Sequence, residues 1–158
     1  MVGGTYLAAT GTVAPWVLLV SVPYALLVTS VLFGKHIDKI DADSTLGVRT
    51  LPVILGEARA RVVGRWLMIL FYPLTLAIVA AGIIGPWVLL VALGLPRLRA
   101  VLDVFRRPKP LAPPPGYPER GWPLWFVGYA FIHTRRAGGL LTLGLLLNAL
   151  LPIRLPWV

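Results

Sequence analysis

The sequence predicts an all-α fold, a polytopic transmembrane helical bundle of about four spanning helices plus an interfacial helix, forming a single membrane domain over residues 1–158. Three observations predict it. Of the 158 residues, 58% are hydrophobic and only 13% charged, against roughly 45–50% and about 25% in ordinary soluble domains. Mean hydropathy is +0.82, and at this length the few polar residues are too sparse to cover a water-facing surface. The apolar residues are also gathered into long runs with the charges in the gaps, as lipid-embedded helices require.

The first run, 13–33, holds no charge over about 21 residues, and at ~1.5 Å per residue it covers the roughly 30 Å hydrocarbon core. The second, 66–84, is likewise uncharged. Gly85-Pro86 predicts a tight turn, because proline suits the first position of a new helix. The third run, 86–105, is apolar to Leu95 and then admits Arg97, Arg99 and Asp103. Residues 106–121 follow, with prolines at 108, 110, 113, 114, 115 and 118, which excludes helix and predicts an extended connection. The aromatic segment 122–132 is too short to span and is expected as an interfacial helix. The last run, 137–153, sits near the lower length limit of about 17 residues for a span.

The net charge is +9, from 15 Lys and Arg against 6 Asp and Glu. In a soluble protein such an excess would suggest a nucleic-acid surface. Here the basic residues lie between apolar runs, so no nucleic-acid partner is expected and membrane lipid is. The 35–65 segment carries Lys35, Lys39, Arg49, Arg59, Arg61 and Arg65, and the 97–120 segment carries Arg97, Arg99, Arg106, Arg107, Lys109 and Arg120. The 83–86 turn carries none. By the excess of Lys and Arg on the inner side, both rich segments are expected in the cytoplasm, the chain integral to the cell inner membrane, and the C-terminus outside. Cysteine is absent, which excludes disulfides and thiolate metal sites, and no cleavable signal peptide is evident.

The polar residues after the first run are concentrated. Asp38, Asp41 and Asp43 are three of the six acids, and they lie at a predicted helix end among Lys35, His36, Lys39 and Arg49. On a continuous helix Asp38 and Asp41 share a face, whereas Asp41 and Asp43 diverge by about 200° unless the helix ends near Ala42. The chemistry that wants this mixture is a phosphate ligand held through Mg2+, which takes one or two carboxylates and completes its shell with phosphate and water. Lys and Arg then meet the remaining phosphate charge. The plain alternative is a cytoplasmic loop whose acids pair with its own lysines.

The string Asp41-Ala42-Asp43 followed by Gly47-Val48-Arg49-Thr50-Leu51-Pro52-Val53-Ile54-Leu55-Gly56 resembles the second aspartate-rich motif and following loop of UbiA-type intramembrane prenyltransferases. The resemblance covers residues 35–56 in detail, and the four spans map onto the last four helices of that family. It implies transfer of a polyprenyl group from its diphosphate to a lipophilic or aromatic acceptor, with Mg2+ as cofactor. Quinone-ring precursors, a tetrapyrrole or another phenolic are all compatible acceptors. It assigns Asp38, Asp41 and Asp43 to the metal and Lys35, Lys39 and Arg49 to the diphosphate, with no catalytic residue independent of the metal site. Counted back from Gly47, Asp43 and Asp41 match the family pattern. The family's other Asp falls on Lys39, with Asp38 one residue earlier, and Lys35 stands where Asn is common.

The family's first aspartate motif has no counterpart here, since Glu57, Asp103 and Glu119 are isolated. The sequence therefore predicts the C-terminal half of a larger enzyme, inactive alone, with residues 1–11 ending the preceding helix and an N-terminal half as partner. Two other classes stay open: a non-catalytic membrane protein or remnant with a charged cytoplasmic loop, and a small transporter for an anionic solute, for which no inverted repeat is visible. Elsewhere, His36 is a candidate base beside the cluster and His133 reads as an anchor near Arg135 and Arg136. Arg97 or Arg99 would meet a diphosphate only if their helix borders the cavity. Asn148 reads as an interhelical hydrogen-bonding group, and Trp16, Trp87, Trp122, Trp125 and Trp157 as interfacial anchors.

Overall fold

The computed structural model describes residues 2–118 and 121–153; Trp157, Glu119 and Arg120 lie outside them. The described chain is helical, without a strand. Helix α1 spans Val2–Thr10, α2 Pro15–Asp38, α3 Ile40–Thr45, α4 Leu51–Leu55 and α5 Glu57–Ala80. A 3-10 segment, Pro86–Gly94, leads into α6, Leu95–Arg106, and α7 spans Trp125–Leu150. Helices α2 and α5 are long and apolar enough to cross a membrane.

The elements start where the local chemistry directs. Proline stands in the first turn of α2, α4, the 3-10 segment and α6, where a missing N–H costs nothing because no intrahelical acceptor exists there. The Thr50 hydroxyl accepts from the Val53 amide at 3.4 Å to cap α4. Gly47 and Gly56, which open and close the signature string, have φ of 69° and 76°. Only glycine adopts that region without strain, so both turns around α4 depend on it.

Several predicted boundaries are corrected. The second helix begins at Glu57 rather than 66 and ends at Ala80 rather than 84. Its first turns are polar, tied by Glu57 and Arg61 at 3.1 Å, so a search for apolar residues passes over them. The predicted single helix over 86–105 is divided at Gly94–Leu95. Pro96 has no amide to extend an α-helical ladder backward, and the Leu95 amide bonds Ala92 in 3-10 register. The predicted interfacial helix over 122–132 is no separate element, for α7 runs unbroken from Trp125 to Leu150. Arg135 and Arg136 interrupt the hydropathy but not the helix, because arginine is a good helix former. The described residues of the proline-rich connection, 107–118, form only turns and bends.

Helix α7 runs antiparallel along α2. Near one end Phe126 meets Asp38, further along Thr134 Oγ1 donates to the Leu27 carbonyl at 3.1 Å, and Gly138 faces Tyr24. Two apolar clusters hold the bundle. One joins Ile37, Met68, Val101, Phe105 and Phe126 near the α2 terminus, and the other joins Leu27, Phe71, Val88, Val91 and Leu141. Leu18, Leu19, Leu32, Leu70, Leu76 and Leu146 face outward, an apolar exterior suited to lipid rather than water.

Candidate functional site

The acid–base cluster forms where α2 stops. The helix ends at Asp38, Lys39 adopts φ −115° and ψ 11°, and the chain re-enters a helix at Ile40. The break therefore precedes Asp41 and Asp43, which share the short α3 instead of flanking a helix end at Ala42. The three aspartates separate into three environments.

Asp38 is turned into the protein, and its side chain is fully buried. Its Oδ1 accepts from the Phe126 amide and its Oδ2 from the Val127 amide, each at 3.0 Å. Those are free donors of the first turn of α7, whose own N-cap residue, Leu124, offers no side-chain acceptor. A carboxylate there satisfies both amides and meets the positive end of the helix dipole. Lys109, from the proline-rich connection, stands 3.7 Å from Oδ1 and donates to the Asp38 carbonyl at 3.4 Å.

Asp43 points the other way, with Oδ2 3.2 Å from His36 Nδ1. The candidate base is thus engaged with a carboxylate of its own cluster. Asp41 is exposed and, with Asp38, Glu57, Lys109 and Trp122, lines a cavity of about 330 Å³. Lys35, Lys39 and Arg49 are all exposed, and among the described residues none of them forms an ion pair. Lys109 was visible in the sequence only as one basic residue of a proline-rich stretch. The signal that could have raised it is its position between Pro108 and Pro110, which fix the backbone on either side.

Further from the cluster, Arg97 and Arg99 are exposed on α6. His133 is no surface anchor: it is fully buried, and its Nε2 lies 3.0 Å from the Tyr72 hydroxyl. Asn148 bonds across the bundle as its type predicts. Its Oδ1 accepts from the Trp87 amide at 3.2 Å and its Nδ2 donates to the Gly85 carbonyl at 3.0 Å.

Among the described residues no three His, Cys, Asp or Glu side chains gather as a preformed metal cage. Mg2+ does not need one, since one or two carboxylates suffice when phosphate and water complete its octahedron. Asp41, facing the cavity, fits that demand. Asp38, with both oxygens already accepting, fits a structural role better.

The class the fold defines is an all-helical protein with apolar helices long enough to cross a membrane and a charged cluster where one of them ends. The family model of the UbiA prenyltransferases matches residues 1–114, and the chain belongs to that family. No curated protein and no solved structure matches it. Membership makes the chain membrane-integral and places it among metal-dependent transferases that act on a polyprenyl diphosphate and an acceptor.

Proposed function

We propose that this chain supplies one half-site of an intramembrane prenyltransferase that moves a polyprenyl group from its diphosphate to an aromatic acceptor, with Mg2+ as the ion. The observation that carries this reading is the cavity at the end of α2, where Asp41 and Lys109 face the same space in a chain of that family. Asp41, with Asp43 adjacent on α3, would hold the Mg2+, whose charge would offset that of the diphosphate leaving group.

The residues around it do the rest. Asp38 holds the start of α7 against the end of α2, which fixes one wall of the cavity. His36 orients Asp43. Lys35, Lys39 and Arg49, exposed around the motif, supply the positive field that draws a diphosphate to the site. Departure of the diphosphate leaves an allylic cation, and the apolar helix walls hold the isoprenoid tail and exclude the water that would quench it.

In the membrane the chain makes four crossings: α2, α5, the 3-10 segment with α6, and α7. The 26 residues of α7 extend about 39 Å at ~1.5 Å each, enough to cross. The Lys and Arg distribution supports a cytoplasmic motif loop and an external C-terminus. The family's first aspartate motif, which a complete site needs, has no counterpart among residues 1–158, so in this reading a further segment supplies it. The proposal is tested by an in-membrane transfer assay with that segment supplied. Activity surviving combined Asp41→Ala and Asp43→Ala substitution at the wild-type level would sink it. A non-catalytic remnant predicts no transfer even when a segment carrying Asn/Asp-x-x-x-Asp is co-expressed.

A further inference from the structure

We infer that Lys109 is a diphosphate-binding residue delivered to the site by the proline-rich connection, an inference that rests on the prenyltransferase reading above. The charges lining the cavity are unevenly matched. Glu57 is engaged by Arg61 at 3.1 Å. Asp38 is engaged by two amides and by Lys109. Asp41 makes no hydrogen bond or ion pair among the described residues and faces the same space.

Asp41 thus offers its charge to a cation, and Lys109, whose ammonium keeps a donor beyond those it turns to Asp38, can meet an anion beside it. A free anion would meet the Asp41 carboxylate, and a lone divalent cation would meet the Lys109 ammonium. A diphosphate with a divalent ion satisfies both.

Lys109 is built for the task. Its ammonium has three donors; one reaches the Asp38 carbonyl and a second faces the Asp38 carboxylate, which leaves capacity for a phosphate oxygen. The ammonium also lies 5.2 Å from the centre of the Trp122 ring, a cation–π contact that holds it without consuming a hydrogen-bond donor. Its side chain is 22% exposed, so a ligand in the cavity can reach it. Pro108 and Pro110 restrict the backbone around it, so little entropy is lost when it engages. By contrast, the lysines of the aspartate motif, Lys35 and Lys39, are exposed and do not line this cavity.

The test uses the whole chain, together with a segment carrying the family's first aspartate motif, in lipid nanodiscs with inorganic pyrophosphate and Mg2+. Amine acetylation followed by mass spectrometry reports the accessibility of Lys109, Lys35 and Lys39. Shielding of Lys109 that requires both Mg2+ and pyrophosphate supports the inference. Shielding of Lys35 and Lys39 but not Lys109 overturns it and leaves the prenyltransferase reading standing. Shielding of none of them overturns both. Calorimetric titration gives a second readout: Lys109→Ala should weaken Mg2+–pyrophosphate binding about tenfold, the size of one charge-assisted hydrogen bond. Lys109→Arg, which keeps the charge, should stay within about threefold of wild type. Unchanged affinity in a folded Lys109→Ala protein overturns the assignment, and the labelling of the wild-type chain reads out even if that variant fails to fold.

Discussion

The Asp38 carboxylate accepts a 3.0 Å hydrogen bond from the amide of Phe126, 88 residues away in the chain, so the end of one long helix is the cap of another. Most caps are local, made by a residue beside the helix they close. Because this one is remote, it fixes both where α7 begins and how it lies along α2. Replacing Asp38 by Ala leaves two first-turn amides without an acceptor and Lys109 without its carboxylate, at a cost of about 2–4 kcal/mol. Asp38→Asn retains one acceptor and should lose about 1–2 kcal/mol. Unfolding in mixed micelles, followed by circular dichroism, measures both. A fully stable Asp38→Ala protein would show that the cap carries no energetic weight.

The same junction depends on Gly34, one turn earlier on α2. A Cβ there would come within 2.9 Å of backbone atoms of Phe126 and Val127, which cannot move without drawing α7 off its cap. Gly34→Ala should therefore destabilise by about 1–3 kcal/mol. Gly144→Ala should do the same at the opposite end of α7, where the new methyl would lie 2.5 Å from the Val88 Cα. Gly139, on the same helix, has open space around its Cβ position. Gly139→Ala should leave stability unchanged or raise it by up to about 1 kcal/mol. The three variants measured together separate close packing from the general preference of helices for alanine.

Much of this arrangement is legible in the sequence. Two of the predicted spans are apolar helices, and the motif glycines fall at the two turns that require positive φ. Legibility stops where tertiary partners decide. Nothing local to Asp38 announces that its oxygens are taken by amides of a distant helix, and on spacing alone it groups with Asp41 and Asp43. The aromatic segment before His133 is too short to span by itself, and Arg135 and Arg136 break the hydropathy between it and the last run, although helicity does not follow hydropathy. The role of Lys109 is hidden for the same reason, since its neighbours in space come from α2 and from Trp122. Charged residues between spans all look alike until the fold selects one.

Asn148 makes a prediction for the far end of the bundle. With one amide group it accepts from Trp87 and donates to Gly85, so it ties the turn between α5 and the 3-10 segment to the last turn of α7. Asn148→Leu keeps the volume but leaves the Trp87 amide and the Gly85 carbonyl unpaired. Interhelical bonds of this kind in membranes are worth about 0.6–2 kcal/mol, and the loss should fall in that range. Hydrogen exchange at the Trp87 amide should rise in step with it. Unaltered exchange would show that another acceptor already serves that amide.

The last prediction separates the two aspartates of α3. Asp41 faces the cavity without a protein partner, whereas Asp43 is held by His36 at 3.2 Å and is only 16% exposed. If Asp41 receives the ion directly, Asp41→Asn should lower prenyl transfer by about 100-fold or more, the scale of one lost charge-stabilising contact. Part of that loss should return at high Mg2+. Asp43→Asn should cost about tenfold, consistent with a more distant electrostatic contribution. His36→Gln should reproduce a fraction of the Asp43 loss, because what it removes is the constraint on that carboxylate. Initial rates across a Mg2+ titration, in membranes that also supply the complementary aspartate motif, distinguish the three. Equal losses with the same Mg2+ dependence for Asp41→Asn and Asp43→Asn would mean that both carboxylates meet the ion. Asp43 would then meet it through Oδ1, since only Oδ2 is held by His36, and the His36–Asp43 pair would be the support of a metal ligand.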